Sequence, residues 1–239
     1  MSALEIEGLR VLRDGRVVID ELSLSIPAGE VTALLGANGA GKSSLVLALS
    51  GRVRPGSGRI SVDGTDVAGW RPQRIRRAGL AAVPEGHQVL RSLSVRDNIR
   101  AAILDPGRET ELMATVYDLL PELAQIEERL AKSLSGGQQQ MVVIAQGLVS
   151  EPRFLLIDEL SLGLAPIIVE RLIPVVAAAA ERGIGVLLIE QYASVALAVA
   201  TSAAVLDRGR LEWSGAAADL LEQPEILHGV YLGTAPKND

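Results

Sequence analysis

Short apolar stretches separated by turn residues recur in the first and last thirds of the chain, which is typical of strands. Residues 4–35 read as short strands, and Leu22, Leu24 and Ile26 alternate with serines, the period-two pattern of a strand with one buried face. Nearly continuous apolar runs instead suit strands covered on both faces, as in a parallel sheet. These runs occupy residues 31–35, 80–83, 154–157, 185–189 and 203–206, and a further strand is predicted at 59–62.

The middle of the chain follows a helical spacing. Between residues 86 and 150, large apolar residues recur three and four positions apart, as on one face of a helix. They are Leu112, Val116, Leu119, Leu120 and Leu123. Another helix is predicted at 42–50, where Gly51 supplies the residue that commonly ends a helix. The alternation of elements predicts an α/β fold around one parallel sheet, interrupted by a helical insert.

Composition narrows the class of protein. The 239 residues are 48% hydrophobic, enough for a sizeable core, and include no cysteine, which excludes disulfides and thiolate metal sites. A net charge of -6 argues against a general nucleic-acid binder, which would present a basic face. No apolar run reaches the ~18 residues of a spanning helix. The first ten residues carry Glu5 and Glu7 and no apolar segment, so we predict no secretory signal and expect the chain in the cytoplasm.

A glycine-rich loop is the strongest chemical motif. Residues 36–43 read Gly-Ala-Asn-Gly-Ala-Gly-Lys-Ser, which matches G-x-x-x-x-G-K-[ST]. Many backbone N–H groups can converge on a triphosphate only where few Cβ atoms intervene. Lys42 would reach the β- and γ-phosphates, and the Ser43 hydroxyl would ligate Mg²⁺, at the positive end of the following helix. The predicted ATP-binding residues of the loop are Gly36, Ala37, Asn38, Gly39, Ala40, Gly41, Lys42, Ser43 and Ser44.

Two acidic residues end the apolar run at 154–157. A strand in a parallel sheet presents its carboxyl end at the ligand crevice. Asp158 would therefore lie beside Mg²⁺, as in other phosphate-loop proteins, and Glu159 would position or polarise the attacking water. Acids after an apolar strand are common, and the pattern becomes specific only in combination with the phosphate loop upstream.

A second glycine-containing motif occupies residues 134–138, Leu-Ser-Gly-Gly-Gln. Ser135 and Gln138 have the spacing of a capping box, so a helix is predicted to begin here. The free N–H groups and the dipole of that helix would form a second anion site.

The order of phosphate loop, Leu-Ser-Gly-Gly-Gln segment and acid pair resembles an ABC ATPase. In that family two nucleotide-binding domains pair head to tail, and each ATP lies between the phosphate loop of one and the signature of the other. The resemblance implies an ATP-dependent dimer, with a second copy or with a sister ATPase, and two transmembrane permease subunits at the inner face of the cell membrane. The residues implied to contact the partner's nucleotide are Ser135, Gly136, Gly137 and Gln138.

The resemblance also implies the architecture. We expect an α/β fold with a P-loop NTPase core on a parallel sheet, an antiparallel β subdomain and an inserted helical signature subdomain. The whole chain, 1–239, would be one nucleotide-binding domain. Within it, 1–85 and 151–215 would form the core with the β subdomain, 86–150 the helical subdomain and 216–239 a C-terminal tail.

A narrower resemblance concerns the LivF branch, which powers uptake of branched-chain amino acids. It rests on Val-Pro-Glu-Gly at 83–86, Leu-Ser-Val-Arg-Asp-Asn-Ile at 93–99, Ser-Leu-Gly-Leu-Ala-Pro at 161–166 and Glu-Gln at 190–191. The similarity spans about residues 4–221.

Several positions depart from the common family pattern. No aromatic residue precedes Trp70, so Arg13 either stacks on adenine in its place or is simply solvated. Glu85 replaces a frequent glutamine and either adds a carboxylate near Mg²⁺ or faces solvent. Gln191 replaces a histidine. We count it with Lys42 and Glu159 as catalytic, because its amide can donate a hydrogen bond to the γ-phosphate. Unlike histidine, it carries no titratable proton. Leu160 replaces a proline, which we expect to alter only local stiffness.

The remaining candidates are expected to be structural. A run of arginines is predicted to form a solvated charged face. It comprises Arg71, Arg74, Arg76 and Arg77. His87 and His228 are predicted to be structural or exposed, and Trp213 to contribute packing.

Two functions of different class remain open. The first is a transport motor, in which hydrolysis separates the paired domains and pulls on membrane subunits through a groove near residues 85–99. The second is a nucleotide-gated subunit with little activity of its own, suggested by Gln191 and by the missing aromatic residue. DNA-repair and translation-type family members fit less well. The former carry a long coiled coil where this chain has about ninety residues, and the latter two such domains per chain.

Overall fold

The computed structural model describes residues 2–86, 88–223, 225–227 and 229. Both histidines, His87 and His228, and much of the predicted tail therefore lie outside the described residues. The strands are β1 (Ala3–Arg13), β2 (Arg16–Pro27), β3 (Val31–Leu35), β4 (Ser57–Val62), β5 (Thr65–Asp66), β6 (Leu80–Val83), β7 (Phe154–Asp158), β8 (Gly185–Glu190), β9 (Ser202–Asp207) and β10 (Arg210–Ala216). The α-helices are α1 (Lys42–Leu49), α2 (Pro72–Arg77), α3 (Val95–Arg100), α4 (Glu109–Leu119), α5 (Pro121–Gln125), α6 (Gly136–Leu148), α7 (Pro166–Glu181), α8 (Ala193–Leu197) and α9 (Ala217–Glu222). Short 3-10 helices occupy Pro106–Arg108 and Ala131–Ser133.

The central sheet has the strand order β10-β9-β3-β8-β7-β6. Neighbouring strands from β9 to β6 run parallel, and β10 joins the edge antiparallel to β9. Every residue of β3, β7 and β8 is buried, which explains why their sequences read as continuous apolar runs. The five strands predicted from such runs are confirmed.

A smaller antiparallel sheet has the order β2-β1-β4-β5. Its first two strands span 11 and 12 residues, so the expectation of short strands was wrong in this region. β4 turns into β5 at Asp63 and Gly64, whose φ angles of 48° and 79° fit the type I′ turn favoured in two-residue hairpins. The predicted antiparallel β unit is thus confirmed, with longer strands.

Two hydrophobic cores lie on the two faces of the central sheet, because successive strand residues point to opposite sides. Leu34, Leu156 and Leu187 face the core shared with the antiparallel sheet. Leu155 and Leu188 face the core shared with the helices that follow β6. The central strands therefore sit between the antiparallel sheet and the helical layer.

Helices α3 to α6 follow β6 and precede β7, where a helical insert was predicted. At Gly147 helix α6 comes so near the sheet that a Cβ there would lie 2.9 Å from Leu155 Cδ1 and 3.0 Å from Val83 Cγ2. The apolar repeat between residues 112 and 123 forms two helices, since α4 ends at Leu119 and Pro121 begins α5. The division of the chain into a core, a helical subdomain and a tail stays a prediction.

The carboxyl ends of β3, β7 and β8 meet at one edge of the central sheet, since the three strands are parallel neighbours. The glycine-rich loop follows β3, Glu159 follows β7, and Gln191 follows β8. This edge therefore carries the candidate site, as expected for an open α/β sheet. Within the ranges given above, no helix combines the length and the apolar character needed to cross a membrane.

Candidate active site

The phosphate loop connects β3 to α1 and is shaped by glycines. A Cβ on Gly36 would lie 2.5 Å from the carbonyl oxygen of Leu206, so only glycine fits beside β9. Gly41 has a φ of 113°, and a Cβ there would lie 2.7 Å from the carbonyl oxygen of Val18. The Gly209 N–H also donates to the Ala40 carbonyl at 2.8 Å, which ties the loop to the β9–β10 turn. The loop is thus held between β2 and β9.

Lys42 begins helix α1, and its side chain is only 4% exposed. Its ammonium donates to the carbonyl oxygens of Gly36 at 2.8 Å and Ala37 at 3.3 Å, and lies 3.7 Å from Glu159 Oε1. These contacts provide the partners that a buried ammonium requires. They also place the positive charge of Lys42 near Glu159, the acid that follows β7.

Asp158 is the last residue of β7 and is 4% exposed. Burial raises the pKa of its carboxyl to about 7, with further contributions from the charges of Glu159 and Glu85. Its Oδ1 atom has no hydrogen-bond partner among the described residues. A buried oxygen without a partner is uncommon, and this one could accept a hydrogen bond or ligate a cation.

Glu159 adopts a left-handed backbone conformation with a φ of 52°. Its N–H donates to the Ile189 carbonyl at 2.9 Å, so the strained residue is anchored to β8. Its side chain lines a cavity of about 180 Å³ beside the phosphate loop. The cavity is lined by Val18, Asn38, Gly39, Gly41, Lys42, Ser43, Ser44 and Glu159. This volume suits the phosphate end of a nucleotide rather than a whole one.

A third acid, Glu190, ends β8 and is 1% exposed. Its carboxylate accepts hydrogen bonds from the Ser161 N–H at 2.9 Å and the Ser161 hydroxyl at 2.8 Å. Burial raises the pKa of Glu190, and the Ser161 bonds oppose that shift. The sequence interpretation did not single out this contact, although an acid at the end of a buried strand is the same signal that identified Asp158. Gln191 follows it and is half-buried.

The Leu-Ser-Gly-Gly-Gln segment forms the predicted capping box at the start of α6. The Ser135 hydroxyl accepts from the Gln138 N–H at 3.3 Å, and the Gln138 side chain accepts from the Ser135 N–H at 3.1 Å. Ser135 and Gly136 are exposed, while Gly137 is buried with a Cβ position 2.8 Å from Ile168. None of the four signature residues contributes to the described lining of the phosphate cavity.

Five of the predicted ATP-binding residues also lie outside this lining, namely Gly36, Ala37 and Ala40 of the loop, Arg13 and Glu85. Arg13 is exposed at the end of β1, paired across the hairpin with Arg16. Glu85 is exposed two residues after β6, and its charge contributes to the raised pKa of Asp158. The structure therefore brings Asn38, Gly39 and residues 41–44 of the loop into one cavity with Glu159, whereas Asp158 and Gln191 do not line it.

The arginine run is not simply a solvated face. Arg74 lies 3.5 Å above the centroid of the Trp70 ring, a cation–π contact. Arg76 is half-buried and donates to the carbonyl oxygens of Ala102 and Gln146, and burial lowers the pKa of its guanidinium. The expectation was wrong for Arg76, whose guanidinium reaches carbonyl groups of the helical layer, whereas Arg71, Arg74 and Arg77 are exposed as predicted. Trp213 is half-buried on β10 and packs against the helical-side core, as predicted.

Comparison with known proteins agrees with the site. The family model described as ABC transporter matches residues 19–161. The chain is 38% identical over 217 residues to the high-affinity branched-chain amino acid transport ATP-binding protein BraG of Pseudomonas aeruginosa, covering 90% of this chain and 93% of that protein. It is 31% identical over 237 residues to the lipopolysaccharide export system ATP-binding protein LptB of Escherichia coli, covering 98% of both chains.

Solved structures share the fold. One described as the ATP-binding subunit of an ABC transporter superposes with a TM-score of 0.84 at 27% identity, covering 98% of this chain and 100% of that chain. The ADP conformation of another ABC transporter ATP-binding cassette gives a TM-score of 0.84 at 24% identity, covering 98% and 99%, and supports the fold alone. The phosphate loop, the acid pair and the capped signature helix thus occur in a chain that belongs to the ABC transporter family, as one of its ATP-binding and ATP-hydrolysing subunits.

Proposed function

We propose that this ATPase powers import of branched-chain or related amino acids through separate membrane subunits. The observation that carries the proposal is the 38% identity to BraG across 90% of the chain, compared with 31% to the LptB protein of Escherichia coli. Both relatives match nearly the full chain, so the two transport directions must be separated by experiment.

The cavity supports a division of labour among its residues. Backbone N–H groups of the loop and the amino end of α1 would hold the phosphates. Lys42, already directed across the loop, would exchange its carbonyl contacts for the β- and γ-phosphates. Glu159 would orient the water, and Gln191 would donate a hydrogen bond to the γ-phosphate. In phosphoryl transfer, such positioning and charge stabilisation supply most of the catalysis.

The site also fits Mg²⁺. The unpartnered Oδ1 of Asp158 and the Ser43 hydroxyl, which lines the cavity, are oxygen ligands of the kind this cation prefers. Among the described residues, no group of three or more histidines, cysteines or acids could hold a metal ion, so phosphate oxygens would have to complete the coordination of Mg²⁺. Ser43 and Asp158 would hold the ion, with Glu85 as the outer acid, and the ion would neutralise phosphate charge.

The signature residues support a dimer. Their capped helix end is exposed, lies on the helical insert and contributes nothing to the described lining of this chain's own cavity. We propose that Ser135, Gly136, Gly137 and Gln138 contact nucleotide on a second ATPase, either another copy or a sister chain. The cavity of about 180 Å³ would then be completed by that partner.

A groove of about 410 Å³ between α2, β6 and the helical layer supports contact with membrane subunits. Its described lining includes Arg52, Arg76 and Gln88 but no acidic residue. We propose that one of the two permease subunits inserts a cytoplasmic segment here and the other does so on the second ATPase, which would keep the ATPase at the inner face of the membrane. No nucleic-acid partner is proposed.

A second candidate function is a nucleotide-gated subunit that needs a sister ATPase for turnover. It is favoured by Gln191, whose amide cannot carry the proton of the histidine usual at this position. Under this alternative the chain alone binds ATP and hydrolyses little of it.

Turnover by the purified wild-type chain separates the two candidates, and Glu159→Gln tests the catalytic role of Glu159. For the transport motor, the purified wild-type chain hydrolyses ATP, whereas Glu159→Gln loses turnover and accumulates an ATP-bound dimer detectable by size-exclusion chromatography. Glu212→Gln, an exposed acid on β10, is the matched control and should behave as wild type. Unchanged turnover in Glu159→Gln would reject its catalytic role, and binding without turnover in the wild type would favour the second candidate.

The transported substrate is tested in cells. A strain that lacks this chain should lose uptake of radiolabelled leucine, isoleucine and valine, and wild type but not Glu159→Gln should restore it. Normal uptake together with defective lipopolysaccharide assembly would instead support an export role.

A further inference from the structure

The buried carboxylate of Glu190 links the end of β8 to the loop that follows β7, at the edge of the sheet that carries the candidate site. Glu190, at the end of β8, accepts from both the N–H and the hydroxyl of Ser161, in the loop after β7. Both residues are buried, and none of the ion pairs among the described residues involves Glu190. Burying a carboxylate costs free energy unless hydrogen bonds compensate for the lost water, and here Ser161 donates two of them.

The position of this pair along the chain suggests that role. Ser161 lies two residues after Glu159, and Glu190 lies immediately before Gln191. A third bond, from the Glu159 N–H to the Ile189 carbonyl at 2.9 Å, joins the same two segments. Glu159, assigned to the attacking water, and Gln191, assigned to the γ-phosphate, therefore lie on two backbone segments that three hydrogen bonds connect.

The backbone beside the pair needs such support. Glu159 holds a φ of 52°, a conformation that residues other than glycine adopt at a cost. Leu162 and Gly163, just beyond Ser161, are exposed, so packing does not fix the loop on that side. The Glu190–Ser161 contact is the buried polar anchor of this segment, next to Leu160, whose side chain is buried in the core.

We infer that Glu190 is a positioning residue that holds the segment from Glu159 to Ser161 in register with Gln191. It acts through the backbone and does not touch nucleotide. This inference rests on the proposed function, in which Glu159 orients the water.

Variants that differ in hydrogen bonding test the inference. Glu190→Gln keeps the shape, because its carbonyl can accept from the Ser161 N–H while its NH₂ donates to the Ser161 hydroxyl. Glu190→Ala removes both bonds, and Ser161→Ala removes one. We expect kcat within about threefold of wild type for Glu190→Gln, an intermediate value for Ser161→Ala, and a loss of about a hundredfold for Glu190→Ala, as for a small misplacement of a catalytic group. KM for ATP should change less than about threefold, since the phosphate loop is untouched.

Hydrogen exchange on the nucleotide-free proteins gives a readout independent of activity. Backbone amides of residues 159–163 should exchange faster in Glu190→Ala than in wild type, while those of α1 and β3 remain protected. If Glu190→Ala does not fold, Ser161→Ala carries the same comparison with a smaller effect.

Two results would overturn the inference. One is a folded Glu190→Ala with unchanged kcat and unchanged exchange at 159–163. The other is a Glu190→Gln variant as impaired as Glu190→Ala, which would assign the effect to the charge rather than to the hydrogen bonds. An inactive wild type would count against the proposed function, whereas the exchange measurement would still decide the anchoring.

Discussion

Replacing Gly41 by alanine should damage the phosphate loop through contact with β2 rather than through lost chemistry. Gly41 has a φ of 113°, where a side chain is strained. An added Cβ would also lie 2.7 Å from the Val18 carbonyl oxygen and 2.8 Å from Ile19 Cδ1. The side-chain carbon could rotate away, but the carbonyl belongs to the β2 backbone, so the strand or the loop must move.

Gly39 provides the matched control for the size of this effect. Its φ is 83°, yet nothing lies within 4 Å of an added Cβ. Gly39→Ala should therefore cost only the left-handed strain, about 1–2 kcal/mol. Gly41→Ala adds the cost of overpacking, about 1–3 kcal/mol. The two variants should differ by roughly 2 kcal/mol, or about 4–8 °C in Tm for a chain of this size.

Thermal unfolding followed by circular dichroism, without nucleotide, measures this difference. Titration with a fluorescent ATP analogue then tests function, and Gly41→Ala should bind more weakly because the loop has shifted. Equal melting temperatures for Gly41→Ala and Gly39→Ala would refute the inferred close approach of the loop to β2.

Two further predictions concern the charge of Asp158 and the stacking of Arg13 on adenine. Asp158 has a pKa of about 7 in the folded chain and 3.8 in the unfolded chain. Between these values and without metal, the folded state holds a proton that the unfolded state has lost. The free energy of unfolding should therefore fall as pH rises from about 4 to 7. Asp158→Asn should flatten that fall in urea titrations with EDTA, and an unchanged slope would contradict the assignment. If Arg13 stacks on adenine, Arg13→Ala should raise the Kd for ATP about 2- to 30-fold, the range of a cation–π contact. Arg16→Ala, its exposed cross-strand neighbour, should leave the Kd unchanged, and equal effects of the two substitutions would indicate general electrostatics instead.

Local signals in the sequence were sufficient for much of the site. The phosphate loop needs eight adjacent residues between a strand and a helix, and β3 and α1 lie on either side of it. The capping box needs two residues three positions apart, and Ser135 and Gln138 make both of its bonds. Continuous apolar runs identified the central strands, because both faces of the sheet are covered and every position is buried.

Elements that depend on tertiary context were not predicted. Helix α7 contains Pro174 and a run of four alanines, so its sequence shows neither the polar face nor the uninterrupted interior that identifies a helix. Strand β10 alternates only between half-buried and exposed positions and gains its order by pairing with β9. The bonds between Glu190 and Ser161 join residues 29 positions apart, which no local pattern reveals.

The three acids at this edge differ in the contacts that their carboxylates make, and this difference bears on the form in which ATP binds. Glu159 lies near Lys42, and Glu190 is bonded to Ser161, but Oδ1 of Asp158 has no partner among the described residues. Adding a polyphosphate would bring more negative charge beside these carboxylates, and Lys42 alone cannot balance it. A divalent cation that arrives with the phosphates would satisfy Asp158 and reduce the repulsion together. Under the proposed function, we therefore expect the magnesium complex of ATP to bind more tightly than free ATP.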